Sequence, residues 1–116
     1  MINIYDSANQ LASDLQQIDE FKALEKAIAE VKSDEESLSL FKQMDKLQSE
    51  IISTQSQGKE LSPELQENYQ KLNEQVQKNS QILKLLQVEQ GLYKTVDDIQ
   101  KVITKPINDL YEGLRN

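Results

Sequence analysis

The chain has no cysteine, no histidine and no tryptophan. Without cysteine there is neither a disulfide nor a thiolate nucleophile, and without cysteine and histidine the usual zinc sites are closed off. Lack of histidine also removes Ser-His-Asp chemistry. Only two prolines and three glycines interrupt the 116 residues, and the β-branched runs that favour strands are scarce. No apolar run approaches the ~18 residues needed to cross a bilayer. The opening MINIYDSANQ lacks the basic-then-apolar order of a secretory signal. The expectation is one cytoplasmic helical domain over residues 1–116, with no cofactor, no metal and no membrane insertion.

Basic residues are also in deficit: thirteen against twenty acidic ones, a net charge of −7. Nucleic-acid affinity comes largely from lysine and arginine on phosphate, and anionic membranes ask for the same residues. Neither partner is expected. The acidic surface serves solubility or, alternatively, faces a basic protein.

What is abundant is helix vocabulary. Glutamine alone occurs fifteen times, and with Glu, Lys, Leu and Ala it builds helix surface. From Ser62 to Thr104, residues Leu65, Tyr69, Leu72, Val76, Leu83, Leu86, Tyr93, Val96, Ile99 and Ile103 fall three, four or seven apart, the spacing of one helix face. A stripe of that length needs covering helices from the same chain, a second copy or another protein. The fold class is therefore all-α, an antiparallel multi-helix bundle with long C-terminal helices, and dimeric. The self-association interface is assigned to Leu72, Val76, Leu83, Leu86, Tyr93, Val96 and Ile99.

Punctuation along the chain divides it. A first helix starts after Asn3, with Ile4, Ala8, Leu11, Ala12 and Leu15 on one face. A bend or break falls near residues 16–19, where Asp19 is a second N-cap or a surface residue. Phe21, Leu24, Ile28 and Val31 continue the stripe. Ser33 and Glu36 have capping-box spacing ahead of a third helix carrying Leu38, Phe41, Met44, Leu47, Ile51 and Ile52. That helix should end near Gln57, since Gly58 suits the left-handed position after a helix. Ser62 and Pro63 are a good N-cap and first residue, so 58–63 reads as an exposed hairpin tip with Leu61 folded back as a staple. Glu67–Lys71, Glu74–Lys78 and Asp97–Lys101 are i, i+4 pairs in the favourable order. A kink or break is expected near 78–81, with Ser80 as cap and a helix over roughly 80–104. Lys105-Pro106 then ends or bends it before a short terminal helix carrying Ile107, Leu110, Tyr111 and Leu114.

Candidate chemistry is thin. Asp34-Glu35-Glu36 and Asp97-Asp98 are acidic, but the first group sits at a helix start and the second pair diverges by about 100° on a helix. Neither has the converging oxygens of a hard-cation site. No EF-hand loop, phosphate loop or H-E-x-x-H occurs. The tyrosines Tyr5, Tyr69, Tyr93 and Tyr111 are not interleaved with a basic patch, so packing is preferred over base stacking. Asn79 and Gln90 interrupt the stripe, either exposed at a kink or buried to set helix register.

Five stretches in order resemble one family: MINIYDSANQLASDL, EFKALEKAIAEVKSD, LSLFKQM, VQKNSQILKLLQVEQ and ITKPINDLY. Together they resemble the YlbF/YmcA/YheA family of small helical bacterial proteins, and the YheA branch most closely. The resemblance implies an all-helical protein that associates with itself or with relatives. Some members form a complex that adjusts messenger-RNA processing by the membrane-attached endoribonuclease Y, with effects on competence, sporulation and biofilm formation. Cysteines implicated in iron–sulfur binding in those relatives have no counterpart here, so no cluster carries over, and no catalytic residues do either.

The function expected is a noncatalytic regulatory or adaptor protein, a homodimer that also binds other cytoplasmic proteins through helix faces, in bacterial RNA processing or developmental regulation. The alternative is a direct RNA-binding factor in the same pathway, for which Lys22, Lys26 and Lys32 are the best local candidates. They are interleaved with Glu20, Glu25 and Glu30.

Overall fold

The computed structural model describes residues 1–115, which form five α-helices and, among those residues, no strand. They are α1 (Ile4–Leu15), α2 (Asp19–Lys32), α3 (Glu35–Ser56), α4 (Pro63–Gln77) and α5 (Ser80–Arg115). The chain divides into two compact units. One comprises Met1–Leu24 with the chain from Gln87 onward, the other Glu25–Leu86.

Each helix boundary has a local cause. Asn3 caps α1, its side chain accepting from the Tyr5 N–H at 3.1 Å. After Leu15 the backbone tightens into i→i+3 bonds, Gln17 N–H to the Asp14 carbonyl at 2.9 Å and Ile18 N–H to that of Leu15 at 3.4 Å. This is a full break. Asp19 becomes the first residue of α2, where Asp19 and Glu20 complement the positive end of the dipole.

Between α2 and α3 the cap is Asp34, one residue later than the Ser33–Glu36 box anticipated. Ser33 instead donates its hydroxyl back to the Glu30 carbonyl at 2.8 Å, satisfying the end of α2. Asp34 accepts from both the N–H of Ser37 at 3.2 Å and its hydroxyl at 2.6 Å. A charged acceptor at the N-cap, free to receive two donors from one residue, prevails over the neutral serine beside it.

The end of α3 is a Schellman motif. Gly58, at φ 73°, donates to the Gln55 carbonyl at 3.0 Å, and Lys59 donates to that of Thr54 at 3.1 Å. Ser62 then opens α4 by accepting from the Leu65 N–H at 3.1 Å, with Pro63 in the first turn. Leu61 is half-buried and shares a hollow with Ile51, Pro63 and Leu65. Lys59 and Glu60 are exposed. Replacing both with alanine should change stability by no more than about 0.5 kcal/mol. Replacing Ser62 with alanine should cost about 1 kcal/mol in a urea titration, the worth of the cap.

α3 and α4 pack against each other within the second unit. Ile51 shares a hollow with Leu65, Leu47 lies with Leu72 and Val76, and Ser37 reaches Asn79. One helix ascends as the other descends, so the pair is antiparallel, as its short connection requires. Ala27, Val31, Leu40, Leu47, Val76, Ile82 and Leu85 form the buried apolar core of this unit.

One buried serine links two helix starts. The α4–α5 boundary is a break at Lys78–Asn79, and Asn79 rather than Ser80 is the cap, its Oδ1 accepting from the Ile82 N–H at 3.0 Å. Its other end, Nδ2, donates to Ser37 Oγ at 3.0 Å. Ser37 is 1 % exposed, and its single proton has the Asp34 carboxylate at 2.6 Å and the Gln81 amide oxygen at 2.7 Å as acceptors. The Asn79 amide caps the helix with its oxygen and donates with its nitrogen, so one side chain serves both contacts. Asn79 thus sets where α5 begins relative to α3.

α5 runs through Pro106 to Arg115, so the separate terminal helix is not formed. A proline inside a helix removes one N–H and crowds the carbonyl four residues before it, here that of Val102. Val102 is 71 % exposed, so water is available to that carbonyl. The Thr104 hydroxyl adds a turn-spanning bond to the Gln100 carbonyl at 3.0 Å, and Lys105 reaches Asp109 across the proline at 3.0 Å.

Candidate interaction surface

Burial is divided unevenly between the two units. Among the described residues, seven of the eight buried apolar side chains belong to Glu25–Leu86, and Leu92 is the other. Of the fifteen large apolar residues left exposed, twelve lie in the unit built from the two ends of the chain. Solvent faces with that composition mark association surfaces on soluble chains.

The exposed residues are patterned. On α5, Ile82, Leu85, Glu89, Leu92, Val96, Ile99 and Ile103 follow a three-four alternation, the seam of a coiled coil. Along it, Ile82 is 0 % and Leu92 6 % exposed, Val96 and Ile99 are half-buried, and Ile103 is 59 % exposed. Beyond Pro106 the apolar positions continue as Ile107, Leu110, Tyr111 and Leu114, all more than half exposed. α1 has no buried residue, and Ile4, Tyr5 and Leu11 on it are exposed.

The residues assigned to self-association from sequence are spread across this picture. Val76 is 3 % exposed and already covered in the hairpin core, leaving almost no surface for a second chain. Leu72, Leu83, Leu86, Val96 and Ile99 are half-buried, and Tyr93 is 64 % exposed. The buried positions at the start of α5 are Ile82 and Leu85, one residue before Leu83 and Leu86. The cause is the break at Asn79: a seven-residue step from Val76 to Leu83 presumes one continuous helix, and a new cap resets the phase. Gln90 is exposed. The apolar residues after Pro106 were visible in the sequence, and their continuity with the seam follows once α5 is known to run through the proline.

Electrostatics on this surface are modest. Glu89 is half-buried on the seam between Leu85 and Leu92, and burial pushes its carboxyl above the usual range. The charged form therefore carries a penalty in the folded state, which is relieved as pH falls through the raised folded value. Exposed ion pairs join Glu67 to Lys71 at 3.2 Å, Asp97 to Lys101 at 3.1 Å and Lys105 to Asp109 at 3.0 Å. Among the described residues Lys78, the C-cap of α4, forms no ion pair with Glu74. The hydrogen bond from Lys101 to Asp97, and then the charge of Asp97, raise the lysine above its ordinary value. Among the described residues no three acidic side chains converge as a cation site. No helix among them is long and apolar enough to cross a membrane.

Comparison with known proteins places the chain in a family. Residues 4–108 match the model of a family described as control of competence regulator ComK, YlbF/YmcA. The chain belongs to this family. Similar members include a UPF0342 protein of Lactobacillus helveticus, 60% identical over the full length of both chains. A UPF0342 protein of Lysinibacillus sphaericus is 37% identical, over 99% of this chain and 100% of its own. Among solved structures, a protein of unknown function (DUF964) from Bacillus stearothermophilus matches with a TM-score of 0.83 at 25% identity, over 93% of this chain and 95% of its own. The all-helical fold is therefore shared with that solved structure, and the UPF0342 relatives are consistent with the YheA branch.

Proposed function

We infer that this protein is a noncatalytic regulatory or adaptor protein of the cytoplasm, acting through helix-mediated association with proteins and working as a homodimer. The observation that carries this reading is the unequal burial. One unit has a core of its own, while the unit formed by the chain ends has a single buried apolar residue and twelve large exposed ones. Such a surface is stabilised by a partner more than by its own chain. Family membership supports a regulatory role, since the matching model is described by control of a competence regulator.

Lys22, Lys26 and Lys32 are exposed but alternate with acidic neighbours, which does not favour the RNA-binding alternative. Light scattering at micromolar concentration should give twice the 13.3 kDa mass of one chain. A single-chain mass would overturn the homodimer. Salt-sensitive RNA binding by the purified protein at physiological salt would reverse the ranking of adaptor and RNA binder.

A further inference from the structure

We propose that the exposed C-terminal part of α5 pairs antiparallel with the same segment of a second copy, across a two-fold axis close to Pro106 and Ile107. The proposal rests on the homodimer reading and adds its geometry.

Three observations carry it. First, the stripe is uncovered and continuous with a seam that the chain buries at its other end, since Ile103, Ile107, Leu110 and Leu114 are 59%, 54%, 78% and 80% exposed. Second, the stripe reads nearly the same in both directions. Turning the helix end for end about a point between residues 106 and 107 sets Ile103 against Leu110 of the second copy and Ile99 against Leu114. Ile107 then lies beside the axis. A self-complementary patch of this kind is what an isologous interface requires.

Third, the charges along the stripe suit reversal. At about 100° per residue, Asp97 and Arg115 fall on one edge of it. In an antiparallel pair like edges meet, so Asp97 faces Arg115 of the second copy, a contact that occurs twice by symmetry. In a parallel pair this edge meets the opposite one, where Thr95, Val102 and Gly113 offer no charge. The acid–base contact at this edge therefore favours one orientation, as edge charges do in coiled coils generally. The helix dipoles oppose one another in the same orientation. The Asp97–Lys101 bond within the helix is no obstacle, because a carboxylate has two acceptor oxygens and Asp97 is more than half exposed.

The chain's lack of cysteine makes the test direct. Single variants Ile107→Cys, Ile99→Cys and Leu114→Cys are oxidised mildly and scored for covalent dimer, after light scattering of each reduced variant confirms the dimer mass. Ile107→Cys should cross-link with itself. Ile99→Cys and Leu114→Cys should each stay near background alone and cross-link at least tenfold more when the two variants are co-expressed. Self-cross-linking of Ile99→Cys and Leu114→Cys would mean a parallel pair and overturn the proposal. A dimer with no cross-link at any position would place the interface elsewhere, overturning the geometry but not the homodimer. A monomeric unmodified protein would overturn both.

Discussion

Replacing Ile82 with alanine should lower the unfolding free energy by about 2–5 kcal/mol, the range for deleting a fully buried isoleucine side chain. Ile82 is 0% exposed, in the first turn of α5, and its N–H is held by the Asn79 cap at 3.0 Å. The space left cannot collapse easily, because the cap fixes the backbone beside it. Leu83→Ala, one residue on and half-buried, should cost clearly less. A urea titration of both variants, compared at matched protein concentration, measures the difference. A larger loss for Leu83→Ala would mean that α5 is rotated by one residue from the phase described.

That one-residue phase is where sequence reading and structure part. The signals at Asn3, Gly58, Ser62 and Pro63 are local: each names a backbone conformation or a cap within four residues, and each acts as its chemistry dictates. The interface residues depended instead on carrying a period across Asn79. A stripe is legible only while the helix bearing it is unbroken; here the offset falls on Leu83, Leu86 and Tyr93, while Val96, Ile99 and Ile103 lie on the seam as the sequence pattern has them. Pro106 misled in the opposite direction. The sequence shows the missing N–H, but not that the Val102 carbonyl it leaves lies at a water-exposed position. Asp34 and Ser33 are both good caps, and what separates them is Ser37, a buried hydroxyl bonded to Asp34 and also to Asn79 and Gln81, more than forty residues away. Such long-range pairing leaves no period in the chain. Within the candidate surface, the apolar residues from Ile103 to Leu114 were legible by type, while their standing uncovered depends on the other helices.

Replacing Asn79 with alanine should cost about 1–3 kcal/mol, combining a lost N-cap with a lost hydrogen bond to a buried hydroxyl. The two parts can be separated. Ser37→Ala removes the hydroxyl but leaves the Ser37 N–H on Asp34 at 3.2 Å, so the α3 cap survives and the loss should be about 1 kcal/mol. In the double variant the Asn79–Ser37 bond has already gone, so the second substitution should cost less than it does alone. The expected coupling is about 0.5–1.5 kcal/mol, the net worth of one intramolecular hydrogen bond. Denaturant titration of the two single variants and the double variant closes the cycle. Additivity within about 0.5 kcal/mol would show that the two helix starts are held independently. Retained coupling, together with a smaller cost for Asn79→Asp than for Asn79→Ala, would locate the effect. Aspartate keeps the capping oxygen that receives the Ile82 N–H, but it loses the amide that donates to Ser37. The ordering of the three variants thus distinguishes a simple cap from a residue that ties the start of α5 to the start of α3.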